Sequence, residues 1–303
     1  MTTGHPFDSA APGQPVRLTD TLRVLLAPNP SALTGRGTNS YLIGQGEVTL
    51  LDPGPDDPSH LQAILAALSP GERITRILVS HAHHDHSDLA PALKAATGAP
   101  VFAFGTARDG LNPAWQAMSD LGGGEGCDHS FTPDILIADG EILTGDGWQL
   151  EALHTPGHLG NHLCFVMGDG IFSADLAMGW ATSIVSPPDG DMSDYMTSLD
   201  RLIARAPRVL WPGHGSPVEP ALPRLEYLRS HRLGREAQIL AALCDGPGSA
   251  AELAARIYAD VDPSLLPAAG RNVLAHLLDL HQRNKALASP APGRDALWSL
   301  PAE

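Results

Sequence analysis

The sequence contains few cysteines: Cys127, Cys164 and Cys244, none of which belongs to a C-x-x-C pair. This scarcity argues against a disulfide framework and against a structural zinc site built on thiolates. We therefore expect free thiols in a reducing, cytoplasmic compartment. Cys164 lies in an apolar run, so we expect it in the core.

Long apolar runs are also absent, and we expect no secretory signal. No apolar run approaches the ~20 residues that a membrane-spanning helix needs, so we expect no membrane partner. Residues 1–15 are polar and small, without a cationic start or an apolar stretch, and we interpret them as a flexible arm rather than a secretory signal. The content of 43% hydrophobic and 17% charged residues is typical of a globular protein, and a length of 303 residues indicates about two domains.

Positive charge is scarce in one part of the chain. Residues 1–220 contain 10 Lys and Arg against 25 Asp and Glu, whereas the remainder contains 9 of each, so the net charge of −15 arises entirely in the first part. An acidic surface repels polyphosphate, which argues against a nucleic acid as the preferred substrate.

Histidine, in contrast, is concentrated in a motif. Residues 81–86 read H-x-H-x-D-H, and residues 74–80 before them are typical of a buried strand. Open α/β sheets place their sites at the carboxyl ends of such strands. His81 and His83 are two residues apart and share one face of an extended backbone, while Asp85 and His86 would diverge toward a second metal ion. We interpret His84 as a residue of the rim.

Three further motifs end in comparable turns: Pro156-Gly157-His158, Asp175 after residues 170–173, and His214 in Pro212-Gly213-His214-Gly215. Alone, either histidine is typical of a turn residue beside glycine. Together, the four motifs predict one site of five imidazoles and two carboxylates. Ligands of this kind without thiolate suit Zn²⁺, Mn²⁺ or Fe.

The order of these motifs resembles that of the metallo-β-lactamase superfamily, whose α/β fold is a four-layer αββα sandwich. The resemblance implies that His81, His83 and His158 bind one metal ion. It implies that Asp85, His86 and His214 bind a second, with Asp175 bridging both. Residues 35–44 resemble the G-T-N-x-Y-L-[IV]-G strand of the subfamily called beta-lactamase-like protein two, and residues 51–54, 195–199 and 231–240 resemble other parts of it. The similarity extends from about residue 28 to residue 300.

The chain departs from the pattern of that subfamily in three places. Ser80 replaces the usual Thr before the first histidine, and Asp88 and Leu89 replace a Gly-Gly pair. The T-P-G-H-T-D-D-H run corresponds to residues 155–162, which lack its two aspartates. All seven implied metal ligands are present.

The organisation of the chain indicates two domains, residues 1–220 and 221–303. Residues 59–68 have helical periodicity, residues 121–129 form a glycine-rich loop or lid, and residues 180–194 are non-periodic. Trp180 and Met178 either line a substrate pocket or pack against the core. After residue 220 we expect helices at 224–243, 253–258 and 265–283, a capping box at 249–252, and two short strands near 286–288 and 296–300. This order resembles the winged-helix appendage of the same subfamily.

The expected long helix at 265–283 does not favour DNA binding. It carries Leu274, Leu277, Leu278 and Leu280 and few cations, and the second domain has no net charge. A recognition helix needs a basic, polar face. We therefore expect this domain to pack against the first or to form a wall of its cleft.

The resemblance and the ligand count imply a hydrolase with two divalent metal ions and a hydroxide that bridges them. Zinc is the favoured metal. The candidate catalytic residues are Asp85, Asp175 and His162. His162 either donates a proton or contacts substrate, or it is a packing residue. We expect His154 and Ser173 to support the site. The favoured substrate is a small ester, thioester or amide. The subfamily resemblance suggests the alternative of a metal-dependent endoribonuclease that acts on single-stranded RNA.

Overall fold

A seven-stranded sheet and a five-stranded sheet face each other in the computed structural model, which describes residues 6–118, 121–124, 126–259 and 266–302. In the first sheet, neighbours follow chain order, antiparallel as far as β4 and parallel from there on. Its strands are β1 Val16–Thr19, β2 Leu22–Leu26, β3 Asn39–Ile43, β4 Glu47–Leu51, β5 Arg73–Leu78, β6 Val101–Ala103 and β7 Ile135–Leu136.

The second sheet has the order β12-β11-β10-β9-β8, and its one parallel pair is β11 with β12. Its strands are β8 Ile142–Gly145, β9 Trp148–His154, β10 Leu163–Met167, β11 Gly170–Ala174 and β12 Val209–Pro212. One apolar core lies between the sheets, where Tyr41 from the first meets Phe172 from the second at 5.1 Å between ring centroids.

Helices cover the outer face of each sheet. α1 Pro58–Ala66 and α3 Ala90–Thr97 pack on the first sheet through a cluster that includes Ile64 and Leu93. α5 Met192–Ala204 packs on the second sheet through a cluster that includes Leu199 and the fully buried Cys164. The predicted four-layer αββα sandwich is therefore confirmed. Two short helices, α2 His84–Ser87 and α4 Pro113–Gln116, lie in the connecting segments.

The N-terminal arm predicted at residues 1–15 is wrong where the structure describes it. A 3₁₀ helix occupies Pro6–Ser9, and Phe7 is 1% exposed in the core between the sheets. The Arg36 guanidinium lies 5.8 Å from the Phe7 ring centroid and donates to the carbonyl oxygens of Phe7 and Ala10. A single aromatic residue in a polar segment therefore fixes the chain, because its burial removes a large apolar surface from water.

The predicted non-periodic stretch at 180–194 is wrong at its end, because α5 begins at Met192. Asp191 caps this helix by accepting from the Asp194 backbone N–H. Met192, Tyr195, Leu199 and Leu202 are buried at helical spacing. Residues 1–5, 125 and 265, which belong to the predicted arm, loop and last helix, lie outside the described part of the chain.

The C-terminal part consists of α6 Ala221–Cys244, α7 Ala250–Ile257, α8 Leu266–Gln282 and a hairpin of β13 Leu287–Ser289 with β14 Leu297–Ser299. The predicted capping box is present between Ser249 and Glu252. The first half of α6 packs with α5, while its end packs with α7 and α8 around the buried Trp298. The domain boundary at residue 220 stays a prediction, since α6 contributes to both cores. Within the described ranges, every helix is either too short or too polar to span a bilayer.

Candidate metal centre

The histidine and carboxylate motifs meet at one end of the two sheets. His81 and His83 follow β5, and α2 places Asp85 and His86 one turn later. His158 follows β9, Asp175 follows β11, and His214 follows β12, each directly or after a short turn. The sandwich thus brings together side chains that are as much as 133 residues apart in the sequence.

Three imidazoles form the first group. The Nε2 atoms of His81 and His158 lie 2.9 and 3.1 Å from Nδ1 of His83. In a tetrahedral zinc site with bonds near 2.0 Å, two ligand atoms lie about 3.3 Å apart. The observed spacing is therefore close to that of three ligands around one ion.

The second group contains Asp85, His86 and His214. The Nε2 atoms of the two histidines are 3.4 Å apart, and Asp85 Oδ2 lies 3.2 Å from His214 Nε2 and 3.6 Å from His86 Nε2. Thr38 donates its hydroxyl hydrogen to the same Asp85 oxygen at 3.2 Å. Two imidazoles and one carboxylate again suit a divalent cation of the zinc, manganese or iron type.

Asp175 lies between the two groups. Its Oδ1 is 3.4 Å from His86 Nε2, and its Oδ2 is 3.3 Å from His214 Nε2 and 3.6 Å from His158 Nε2. Although His86 is near, Oδ1 is buried and forms no hydrogen bond with any described residue. A buried carboxylate oxygen without a hydrogen bond is costly unless a cation binds it. The residues present therefore fit two metal ions with Asp175 between them.

Contacts behind the rings orient four of the five imidazoles. Their Nδ1–H groups donate away from the site, to Ser80 Oγ from His81 (3.0 Å), Asp52 Oδ2 from His86 (2.9 Å), the Ile184 carbonyl from His158 (2.8 Å) and the Gly37 carbonyl from His214 (3.1 Å). Each ring then presents the lone pair of Nε2 toward the centre. Such partners fix the tautomer of metal-binding histidines.

Comparison with known proteins agrees with this geometry. The family profile described as metallo-beta-lactamase superfamily matches residues 33–214, which contain all seven side chains. The chain belongs to the metallo-beta-lactamase superfamily. The profile of the beta-lactamase associated winged helix domain matches residues 249–294. A beta-lactamase-like protein 2 homolog from Drosophila melanogaster is 31% identical over 284 residues, which cover 90% of this chain and 92% of that relative.

Two other relatives of this superfamily member extend the comparison. A metallo-beta-lactamase family protein from Thermus thermophilus has a crystal structure that matches 94% of this chain and 100% of its own, with a TM-score of 0.75 and 26% identity. An atrochrysone carboxyl ACP thioesterase from Aspergillus fumigatus is 27% identical over 226 residues, or 72% of this chain and 64% of that relative. The superfamily and the names of such relatives support a hydrolase.

Asp52 supports the centre, although sequence reasoning assigned it no role. It follows β4, which runs parallel to β5, so it lies beside the residues that follow β5. Its Oδ1 accepts from the Ser80 backbone N–H at 2.7 Å, and its Oδ2 accepts from the Ser80 hydroxyl at 2.8 Å and from His86. Asp52 thus orients His86 directly and His81 through Ser80. The signal available in the sequence for this role was a carboxylate directly after the strand that precedes the H-x-H strand.

The two groups differ in their electrostatics. Burial lowers the pKa of His83 to about 3 and that of His81 well below its ordinary value, so these rings are neutral donors of lone pairs. Burial also opposes charge on His214, but Asp175 and Asp85 outweigh it and raise its pKa to about 10. The same carboxylates raise the pKa of His86. Without a metal ion the second group is therefore proton-rich, and metal binding there would release protons.

The remaining candidate residues do not reach the centre. His162 is fully buried, its ring centroid lies 5.1 Å from that of His81, and its Nδ1 bonds the Thr155 hydroxyl at 3.0 Å. This position favours packing over contact with substrate, and its catalytic role stays a prediction. His84 is on the exposed rim and bonds Asp88 at 2.7 Å. The side chains of His154 and Ser173 bond backbone carbonyls of residues 160 and 177, which makes them supports of nearby loops.

Proposed function

We propose that the protein is a metal-dependent hydrolase of small thioesters, esters or amides. It would use two divalent metal ions, and zinc is the favoured metal. The observation that carries this proposal is the position of Asp175 between two groups of imidazoles, with one oxygen lacking a hydrogen bond. Metal ions at such a site lower the pKa of water to about 7 and polarise the carbonyl of the substrate. The seven side chains would hold the ions, and hydrogen bonds from or to Asp52, Ser80 and Thr38 orient members of this set.

A pocket that is lined in part by Gly215, the residue after His214, supports a small substrate with an apolar acyl group. It has a volume of about 580 Å³, its apolar side chains include Trp180 and Val218, and Arg36 and Glu219 also line it. A Cβ on Gly35 or Gly215 would lie 3.3 or 2.6 Å from the indole, so glycine at both positions lets the ring pack on the backbone. Trp180 remains 47% exposed, whereas Met178 is 6% exposed and packs in the protein.

Replacing Trp180 by alanine should raise KM for long or aromatic acyl thioesters about tenfold while kcat changes little. The expected loss corresponds to an apolar and aromatic contact worth about 1.4 kcal/mol, made equally in the ground and transition states. Steady-state kinetics with a long-chain and an acetyl thioester would measure it, the acetyl substrate being the internal control. Equal KM increases for both substrates would contradict a role of this pocket in binding the acyl group.

Surface charge makes RNA the less favoured substrate. Six of the ten cationic side chains in residues 1–220 form salt bridges with carboxylates: Arg23, Arg73, Lys94, Arg201, Arg205 and Arg208. Their charge is locally neutralised, which leaves little to attract a phosphate backbone. We infer a cytoplasmic location from the sequence, which has three cysteines and no C-x-x-C pair.

A substrate panel separates the two activities. We expect the zinc-loaded protein to hydrolyse thioesters and to leave a single-stranded RNA oligonucleotide intact under the same conditions. Protein treated with a chelator should be inactive and should recover with Zn²⁺, and elemental analysis should give close to two metal ions per chain. Cleavage of the RNA with no turnover of any thioester, ester or amide would instead establish the endoribonuclease alternative. Full activity in metal-free protein would contradict both.

A further inference from the structure

The segment that follows Asp175 is held by the C-terminal helices. Residues 176–190 contain neither helix nor strand, and side chains of α6 and α8 bind their backbone at intervals. Arg224 donates to the carbonyl oxygens of residues 178 and 181, both at 2.7 Å. Arg232 donates to the Ser183 carbonyl, and Asn272 Oδ1 accepts from the Val185 N–H at 3.1 Å. Arg271 donates to the Ser186 hydroxyl at 2.8 Å and to the carbonyl of residue 187.

This segment contacts two of the metal ligands. The Ile184 carbonyl accepts from Nδ1–H of His158 at 2.8 Å and so directs Nε2 of that ring toward His83. The Ser183 hydroxyl donates to the Asp175 carbonyl oxygen and, at 3.0 Å, to that of Leu176. A shift of residues 183–185 would therefore move or release one ligand of the first group and the bridging carboxylate.

Arg232 is the central contact between the helices and this segment. It is 2% exposed, donates to Asn272 Oδ1 at 3.0 Å, and lies 4.9 Å from the Tyr195 ring centroid. Among the described residues it has no carboxylate within salt-bridge distance, and its acceptors are a carbonyl and an amide oxygen. Burying a guanidinium against neutral acceptors costs free energy. These hydrogen bonds hold residues 183–185 in place.

We propose that Arg232 and Asn272 are positioning residues of the metal centre. Through Ser183 and Val185 they hold the Ile184 carbonyl where it fixes the His158 ring. The C-terminal helices then serve to complete the first metal site, and nucleic acid binding is not needed to explain them. The inference rests on the proposed two-metal function, because that function requires the metal site that Arg232 and Asn272 would position.

The test is a titration of metal-free protein with Co²⁺, followed by the visible absorption of the bound ion. Arg232→Met keeps most of the side-chain volume and removes the donors. We expect it to weaken binding at the site of His158 about tenfold, the lower end of the loss for a partner behind a metal ligand, and to change the absorption spectrum. Arg232→Lys should restore part of the wild-type spectrum, because an ammonium group retains donors.

Arg229→Met is the matched control. Arg229 lies on the same helix three residues earlier, and its partner is Asp200 on α5 rather than the 183–185 segment. This variant should bind Co²⁺ as the wild type does. The melting temperature of each metal-free variant separates a general loss of stability from a change at the metal site.

Asn272→Leu provides a second variant, on α8. If Arg232→Met does not fold, Asn272→Leu alone tests the positioning of residues 183–185. Wild-type affinity and spectrum in Asn272→Leu, and in Arg232→Met where it folds, would overturn the inference. A wild-type protein that binds no Co²⁺ would overturn the proposed function itself. A spectrum altered equally in Arg229→Met would show that the effect is not specific to the 183–185 segment and would also overturn the inference.

Discussion

Replacing Asp175 by alanine should reduce hydrolysis at least about a hundredfold and weaken the retention of both metal ions. A partner behind a metal ligand already accounts for 10- to 100-fold in affinity or activity, and a ligand between two ions contributes more. Asp175 is the described carboxylate whose oxygens approach histidines of both groups, at 3.6 Å from His158 and 3.3 Å from His214. Asp85 approaches only the second group.

The measurement combines kcat for the best thioester with elemental analysis after gel filtration. Asp88→Ala is the control, since Asp88 stands three residues after Asp85 and bonds the exposed His84 rather than a metal ligand. We expect this control to keep its metal and its activity. Wild-type turnover in Asp175→Ala would remove that residue from the mechanism, whatever happened to the metal content.

The sequence pointed to the candidate ligands better than to the residues that hold them. His81, His158 and His214 each stand in a short motif after a strand, and the family resemblance implied how they divide into two groups. Asp52 precedes His86 by 34 residues, and its contact depends on the pairing of β4 with β5. No local pattern encodes that register, so the contact was found only in three dimensions.

The same reasoning explains the two errors in the fold. Phe7 is one apolar residue in a polar stretch, which has no period to detect, and its backbone carbonyl is held by Arg36, 29 residues later. The start of α5 was missed because a long irregular segment precedes it and its N-cap, Asp191, was included in that segment. For Phe7, contacts distant in sequence determine the local structure.

The structure also bears on the C-terminal part. Leu274, Leu277, Leu278 and Leu280 are at most 2% exposed, so these leucines of α8 belong to the core of the helices and the hairpin. A buried face has no capacity for reading bases. Asp279 of α8 forms a salt bridge with Arg283, the residue after this helix, and Arg283 also pairs with Glu236 of α6. The hydrogen bonds that join Arg224 and Asn272 to residues 178–185 support the expectation that this part packs against the first, while a wall of the cleft stays a prediction.

Replacing Asp52 by asparagine should weaken metal binding at the second group about a hundredfold, at nearly unchanged side-chain volume. Asp52 accepts from three donors: the Ser80 N–H, the Ser80 hydroxyl and Nδ1–H of His86. An asparagine has only one acceptor oxygen, so its NH₂ group must face at least one of these donors. If it faces His86, the ring protonates at Nε2 instead and loses the lone pair that binds metal.

Competition with a chromogenic chelator would measure this loss, with Ser80→Ala and Asp57→Asn as companions. Ser80→Ala removes the acceptor of His81 alone, so we expect a smaller effect, about tenfold, confined to the first group. Asp57 is a half-buried N-cap of α1, where asparagine caps equally well, and its variant should bind metal normally. Asp52→Asn with wild-type affinity at both sites would mean that the imidazoles hold their orientation without this carboxylate. If a single carboxylate supports both groups, metal affinity should be lowest in Asp52→Asn, intermediate in Ser80→Ala and highest in the wild type.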